Sequence, residues 1–222
     1  MINYSDQMNL FELVANKLNV SIECWAFGGT AMMFYGYKDD TKDIDLLFEK
    51  ETQRKAFITA IEKLGFAKTS PINIYIPEKL RDKGKPLMFQ RGDFRFDLFS
   101  QEIFQTKLSQ KMKEDKFAVH EFKGKCTLKV NVLRKEHIVQ LKAITERDRD
   151  FEDILSIIKK DKRFDWQYLI DDVIWQSKHG DSWAALDVEK MMKELKKYVI
   201  IEQKYFDQLY KGRRLYKEHK NI

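Results

Sequence analysis

Three aspartates carry the strongest chemical signal in this chain. Asp43 and Asp45 stand two apart in Asp43-Ile44-Asp45-Leu46-Leu47-Phe48-Glu49, and Asp97 lies inside Phe94-Arg95-Phe96-Asp97-Leu98-Phe99. Both segments have the composition of strands. Side chains two apart on a strand point to one face, so Asp43 and Asp45 are expected side by side, with Ile44 turned into the core. Like charges held that close repel each other, and a divalent cation removes the repulsion. Carboxylate oxygens suit Mg²⁺, with Mn²⁺ as the alternative. The plain structural alternative is an edge strand whose acids are merely solvated. Asp97 weighs against it, because an aspartate flanked by apolar residues is costly to bury unless it is paired or holds a metal. Its neighbour by alternation, Arg95, offers the pairing alternative.

Ahead of these acids, the apolar run from Ile22 to Phe27 ends at Gly28-Gly29-Thr30, and twelve residues (Ala31 through Lys42) lead on to Asp43. A strand that ends in two glycines and opens into a helix leaves backbone N–H groups free to bind phosphate oxygens. The missing side chains permit close approach, and Thr30 adds a hydroxyl. Taken alone, the same residues also describe an ordinary turn.

Together, Gly28-Gly29-Thr30-Ala31, then Thr41-Lys42-Asp43-Ile44-Asp45-Leu46, then a later strand aspartate resemble the nucleotidyltransferase superfamily of the DNA polymerase β type. The Gly-Gly-Thr-Ala form is most similar to the minimal nucleotidyltransferases and to the abortive-infection AbiEii-type toxins. The motif resemblance covers residues 25–100 and extends more loosely to Leu141-Lys142 and the stretch Arg147-Asp148-Arg149-Asp150-Phe151-Glu152-Asp153. It implies that Gly28, Gly29 and Thr30 contact a triphosphate, ATP or another, and that Lys142 reaches it. Asp43, Asp45 and Asp97 would bind metal, two Mg²⁺ ions in all, and Asp97 would also help to deprotonate the acceptor hydroxyl. The implied reaction is attack of an acceptor oxygen on the α-phosphate, with loss of pyrophosphate. The implied acceptors include RNA, a tRNA end among them, and the toxin likeness implies an antitoxin partner. Thr30 stands where many members carry serine. Two further readings stay open: a catalytically silent nucleotide-binding or partner-binding module of the same fold, and a partner-binding role for the helical half. From the residues alone, Lys142 also fits a solvated helix lysine, and acids opening the helix after Arg147 fit capping, the helix dipole or an inter-domain ion-pair network.

The elements that must position these groups follow from the periodicity. Helices are expected over 7–19, from Thr30 to Tyr35 and over 51–64, the last stopping at Gly65. Strands are expected over 22–27, 43–49, 72–76, 86–90, 94–99, 117–122 and 126–133. From Lys135 onward the spacing is helical, over 135–146, 149–160, 165–178 and 186–212. The fold class is therefore α+β: a nucleotidyltransferase-like mixed sheet flanked by helices over 1–133, followed by a helical bundle over 134–222 packed on it.

Composition bounds the alternatives. The chain has 222 residues, 43% hydrophobic and 13% aromatic, enough apolar material for a packed core despite 34% charge. Global disorder is excluded on that ground. The net charge of +6 is a mild basic bias, partly from 204–222, where Lys204, Lys211, Arg213, Arg214, Lys217 and Lys220 outnumber Asp207 and Glu218. It suits a polyanionic partner and equally a solvated helix end. Cys24 and Cys126 have neither metal nor disulfide spacing and read as buried thiols. His120, His137, His179 and His219 have no ligand spacing, and Trp166, Trp175 and Trp183 read as core. No apolar run is long enough to span a membrane and no leader pattern opens the chain, so a cytoplasmic location is expected.

Overall fold

The computed structural model describes the chain except residues 73, 75, 76, 146, 147, 221 and 222, and it describes no side chain for 148 or 213–220. The chain divides into two compact units, Met1–Arg134 and Lys135–Ile222.

In the first unit β1 (Ile2–Asn3) leads into α1 (Tyr4–Lys17), followed by β2 (Ile22–Ala26), α2 (Gly28–Phe34), β3 (Asp40–Thr41), β4 (Ile44–Phe48) and α3 (Glu51–Glu62). Then come β5 (Ala67–Thr69), α4 (Pro77–Arg81), β6 (Leu87–Arg91), β7 (Phe94–Ser100), β8 (Glu102–Ile103), β9 (Thr106–Lys107), α5 (Gln110–Glu114), β10 (Lys116–Lys123) and β11 (Thr127–Leu133). Seven strands lie side by side in the order β10-β11-β2-β4-β7-β6-β5, with β8 and β9 attached to the end of β7. The sheet is mixed: β11–β2 and β4–β7 run parallel, the other neighbours antiparallel. The unit is thus mixed α/β, as the alternation of elements requires.

One face of this sheet makes the main core. Ile22, Cys24 and Ala26 of β2, Ile44, Leu46 and Phe48 of β4, and Phe96 and Leu98 of β7 all turn into it. They meet Leu10, Phe11 and Val14 of α1 and Phe57, Ala60 and Ile61 of α3. Phe57 packs edge-on against Phe96 with ring centroids 5.3 Å apart, and Phe66 lies 4.9 Å from the same ring. The period of two in the strands therefore sends the intervening residues, Asp45 and Asp97 among them, to the opposite face. A capping box between Asn3 and Asp6 starts α1, and Gly65, at φ +84°, follows α3. Burial pushes the Cys24 thiol up, as expected of an inert core cysteine, whereas Cys126 is only partly buried.

Three expectations are corrected. The alternating isoleucines of 72–76 predict a strand, but Ile72 is exposed and Ile74 N–H closes a turn onto the Pro71 carbonyl at 2.9 Å. The rest of that segment lies outside the described residues. The helix expected over 186–212 is two helices, broken between 196 and 202. The β-branched run Val199-Ile200-Ile201 disfavours helix and leaves Ile200 98% exposed. Trp183 and Trp175 are exposed rather than core, Trp175 stacking on His179 with centroids 4.4 Å apart.

The second unit consists of α6 (Lys135–Thr145), α7 (Asp148–Lys160), α8 (Trp166–His179), α9 (Ala184–Leu195) and α10 (Gln203–Lys220). Asp165 caps α8 through the Tyr168 N–H. Inside the unit, His137 lies 3.0 Å from the Tyr168 hydroxyl and 3.5 Å from the Asp172 carboxylate. Among the described residues no helix is long and apolar enough to cross a membrane.

Candidate metal centre

β4 and β7 run parallel with Asp45 directly beside Asp97. Two carboxylates are thus set opposite each other on the non-core face of neighbouring strands, the arrangement that like charges resist. Asp97 is buried, with 1% of its side chain exposed, whereas Asp45 is half-buried. Leu47 and Phe99, one period further along the same strands, are buried, and Phe99 meets Phe27 edge-on at 5.3 Å. The cluster therefore sits at the rim of an apolar patch, where charge is poorly screened.

Asp43 does not lie on the strand, as its spacing from Asp45 predicts, but in the bend before it. It still joins the other two: Asp43, Asp45 and Asp97 each offer an oxygen, and these oxygens lie within 4.8 Å of one another. A set of three carboxylates that close can hold a metal ion.

Backbone contacts lock Asp45 beside the glycine turn. The antiparallel pairing of β2 with β4 sets Ala26 against Leu46, and the Phe27 N–H reaches the Asp45 carbonyl at 3.4 Å. The Asp45 N–H in turn donates to Thr30 Oγ1 at 2.8 Å. Gly28, at φ +56°, occupies the left-handed region, and a Cβ there would lie 2.3 Å from Asp45 Oδ2. A Cβ on Gly29 would lie 2.3 Å from Thr41 Oγ1. Both glycines are thus required by the close approach of the acid-bearing segment to α2. Thr30 is fully buried, its hydroxyl engaged by the Asp45 backbone.

No protein-family model matches this chain, and neither does any curated protein.

Arg95 completes the cluster. Its Nε donates to Asp97 Oδ1 at 2.9 Å and its Nη2 lies 3.4 Å from Asp97 Oδ2, while the same Nη2 donates to Asp43 Oδ2. Alternation along β7 announces the Arg95–Asp97 pair, but nothing in the sequence announces Asp43 as a second partner fifty-two residues away. Thr41, whose hydroxyl lies 3.5 Å from Asp43 Oδ1, was likewise not legible as part of the site. Arg95 thus sets one positive charge among the three carboxylates.

Lys142 belongs to the second unit. Its buried ammonium lies 2.9 Å from Asp150 Oδ1 and 2.7 Å from Asp153 Oδ2, and the Thr145 hydroxyl lies 2.6 Å from Asp150 Oδ2. These acids thus form an ion-pair network with a lysine of their own unit. Arg147 lies outside the described residues, as do the side chains of Asp148, Arg213, Arg214, Lys217, His219 and Lys220.

Proposed function

We propose that this chain is a nucleotidyltransferase that moves a nucleoside monophosphate from a nucleoside triphosphate to an acceptor hydroxyl, RNA being the acceptor class its basic charge suits. The observation that carries this reading is the convergence of Asp43, Asp45 and Asp97 on one point beside the Gly28-Gly29 turn. The fit of a divalent ion is supported by the donor set, which is all carboxylate oxygen and suits Mg²⁺ or Mn²⁺. It is supported again by Gly28, whose missing Cβ leaves Asp45 Oδ2 its place. Asp43, Asp45 and Asp97 would hold the ion, and when bound it would offset charge on the phosphates.

The residues of the chain then have separate tasks. Gly28 and Gly29 let Asp45 and Thr41 close against the start of α2, which sets the acids beside that turn. Thr30 holds the Asp45 backbone in place by accepting its N–H. Asp97 takes the proton of the acceptor hydroxyl as its oxygen bonds to the α-phosphorus and the bond to pyrophosphate breaks. Lys142 has a task within its own unit, where its ammonium binds Asp150 and Asp153.

A second reading, a catalytically silent module of the same architecture, is favoured by one observation: Arg95 already supplies a cation to Asp43 and Asp97. One experiment separates the two. The protein is incubated with each labelled triphosphate, Mg²⁺ and total RNA, and the labelled product is sized. Label in RNA that disappears in Asp45→Asn supports transfer. Triphosphate-dependent thermal stabilisation with no transfer to RNA, protein or small acceptors supports the silent module.

A further inference from the structure

The acid cluster carries its own cation. Arg95 stands two residues before Asp97 on β7, so both side chains emerge on the same face of the strand. The arginine bridges two chain segments, binding Asp97 through Nε and Nη2 and Asp43 through Nη2. It is 18% exposed, against 1% for Asp97, so its charge sits between the buried carboxylate and solvent. A guanidinium is planar and donates along fixed directions, which is why it can fork onto one carboxylate while reaching a second. A small hard cation instead needs oxygen lone pairs turned toward a single point. Both Asp97 oxygens and one Asp43 oxygen lie within hydrogen-bonding reach of Arg95, so an ion that draws on Asp97 meets a guanidinium already bound there.

We propose that Arg95 is a built-in counter-cation of the Asp43–Asp45–Asp97 cluster and that a divalent ion must displace it to take all three carboxylates. The proposal rests on the reading that the cluster holds a divalent ion, and on nothing about the reaction that follows. Its logic is electrostatic. Without an ion, three carboxylates on adjacent segments would push β4 and β7 apart, and Arg95 offsets part of that repulsion. With an ion in place, a unit positive charge beside a divalent one is unfavourable, and the partly exposed arginine can turn toward water. The cluster is thereby kept closed at low ion concentration, and the protein stays folded in the ion-free state.

The test measures Mn²⁺ binding calorimetrically on the full chain as wild type, Arg95→Met and Arg95→Lys. Arg95→Met is expected to bind Mn²⁺ about tenfold more tightly or better, which is about 1.4 kcal/mol. Without metal the same variant is expected to unfold at a lower temperature than wild type, and saturating Mn²⁺ is expected to close that gap. Arg95→Lys, which keeps the charge and loses the fork, is expected to fall between. Equal or weaker Mn²⁺ binding by Arg95→Met, with wild type binding normally, overturns the proposal and leaves the cation site standing. Absence of Mn²⁺ binding in all three proteins overturns both. Should Arg95→Met fail to fold, the Arg95 Nε–H resonance of isotope-labelled wild type decides. A shift on saturation with Mg²⁺ supports displacement, and an unmoved resonance overturns it.

Discussion

Replacing Asp97 by asparagine separates a metal ligand from a structural ion-pair partner, and the structure sets the size of each effect. In the metal-free protein, two opposing terms change. Losing a charge-assisted hydrogen bond from Arg95 costs about 1.5–3 kcal/mol, part of which the asparagine oxygen retains. Relieving its like-charge contacts with Asp43 and Asp45 within the 4.8 Å cluster returns about 3 kcal/mol each at an effective dielectric constant near 20, and losing the attraction to Arg95 at 2.9 Å takes back about 6 kcal/mol on the same scale. The terms nearly offset, so metal-free Asp97→Asn is expected to melt within a few degrees of wild type, about 2–4 °C for each kcal/mol in a chain of this size. Metal changes the comparison. An ion at about one hundred times its dissociation constant stabilises the native state by about 2.7 kcal/mol. Wild type should gain that increment in millimolar Mg²⁺ relative to chelator, and Asp97→Asn should lose most of it. Scanning calorimetry in the two conditions reads both quantities. The reasoning is refuted if Asp97→Asn loses about 3–5 kcal/mol without metal, as expected when a buried ion pair loses one partner, while Mg²⁺ stabilises neither protein. Asp97 would then be the structural partner of Arg95 and nothing more.

Three further outcomes are expected. Gly28→Ala places a Cβ in the left-handed region and 2.3 Å from Asp45 Oδ2, so it should lower stability by about 1–3 kcal/mol and weaken Mg²⁺-dependent stabilisation, both read by thermal unfolding. Lys142→Met leaves the buried Asp150 and its neighbour Asp153 without their shared cation, so about 3–5 kcal/mol should be lost in denaturant titrations, and adding Asp150→Asn should restore part of it. His120 is held below its ordinary value of 6.5 by burial and stacks on Phe34 with centroids 4.4 Å apart. The unfolded chain therefore takes up the proton first on acidification, and stability falls as pH drops through that value toward the lower folded one. His120→Phe should flatten this part of the stability profile between roughly pH 7 and 5.

Much of the site was readable because strand periodicity is a strict rule. Apolar residues at Ile44, Leu46, Phe48, Phe96 and Leu98 fix which way Asp45 and Asp97 face, and the structure buries all five. The Gly-Gly turn was readable as a close approach, though its partners, Asp45 and Thr41, come from elsewhere in the chain. What sequence could not supply was pairing between distant segments. The bond from Arg95 to Asp43 depends on β4 and β7 being neighbours, and no local pattern states that. The two-residue strands β1 and β3 exist only because they pair with each other. The alternation at 72–76 did not make a strand of its two described residues, where exposed Ile72 and half-buried Ile74 lie in a turn. The break between α9 and α10 has no proline or glycine to mark it, only a β-branched run whose weight against helix formation is modest.

The strand order has a consequence for how the molecule comes into being. β7 is inserted between β4 and β6, so the chain leaves β4, builds the outer strands β5 and β6, and only then returns to fill the gap. The strand carrying Asp97 is the last of these four to leave the ribosome and the one that joins the rest. Pairings between such distant segments form slowly. A nascent or partly folded chain therefore presents no finished cluster, and an ion bound there would report that the sheet has closed in its correct order.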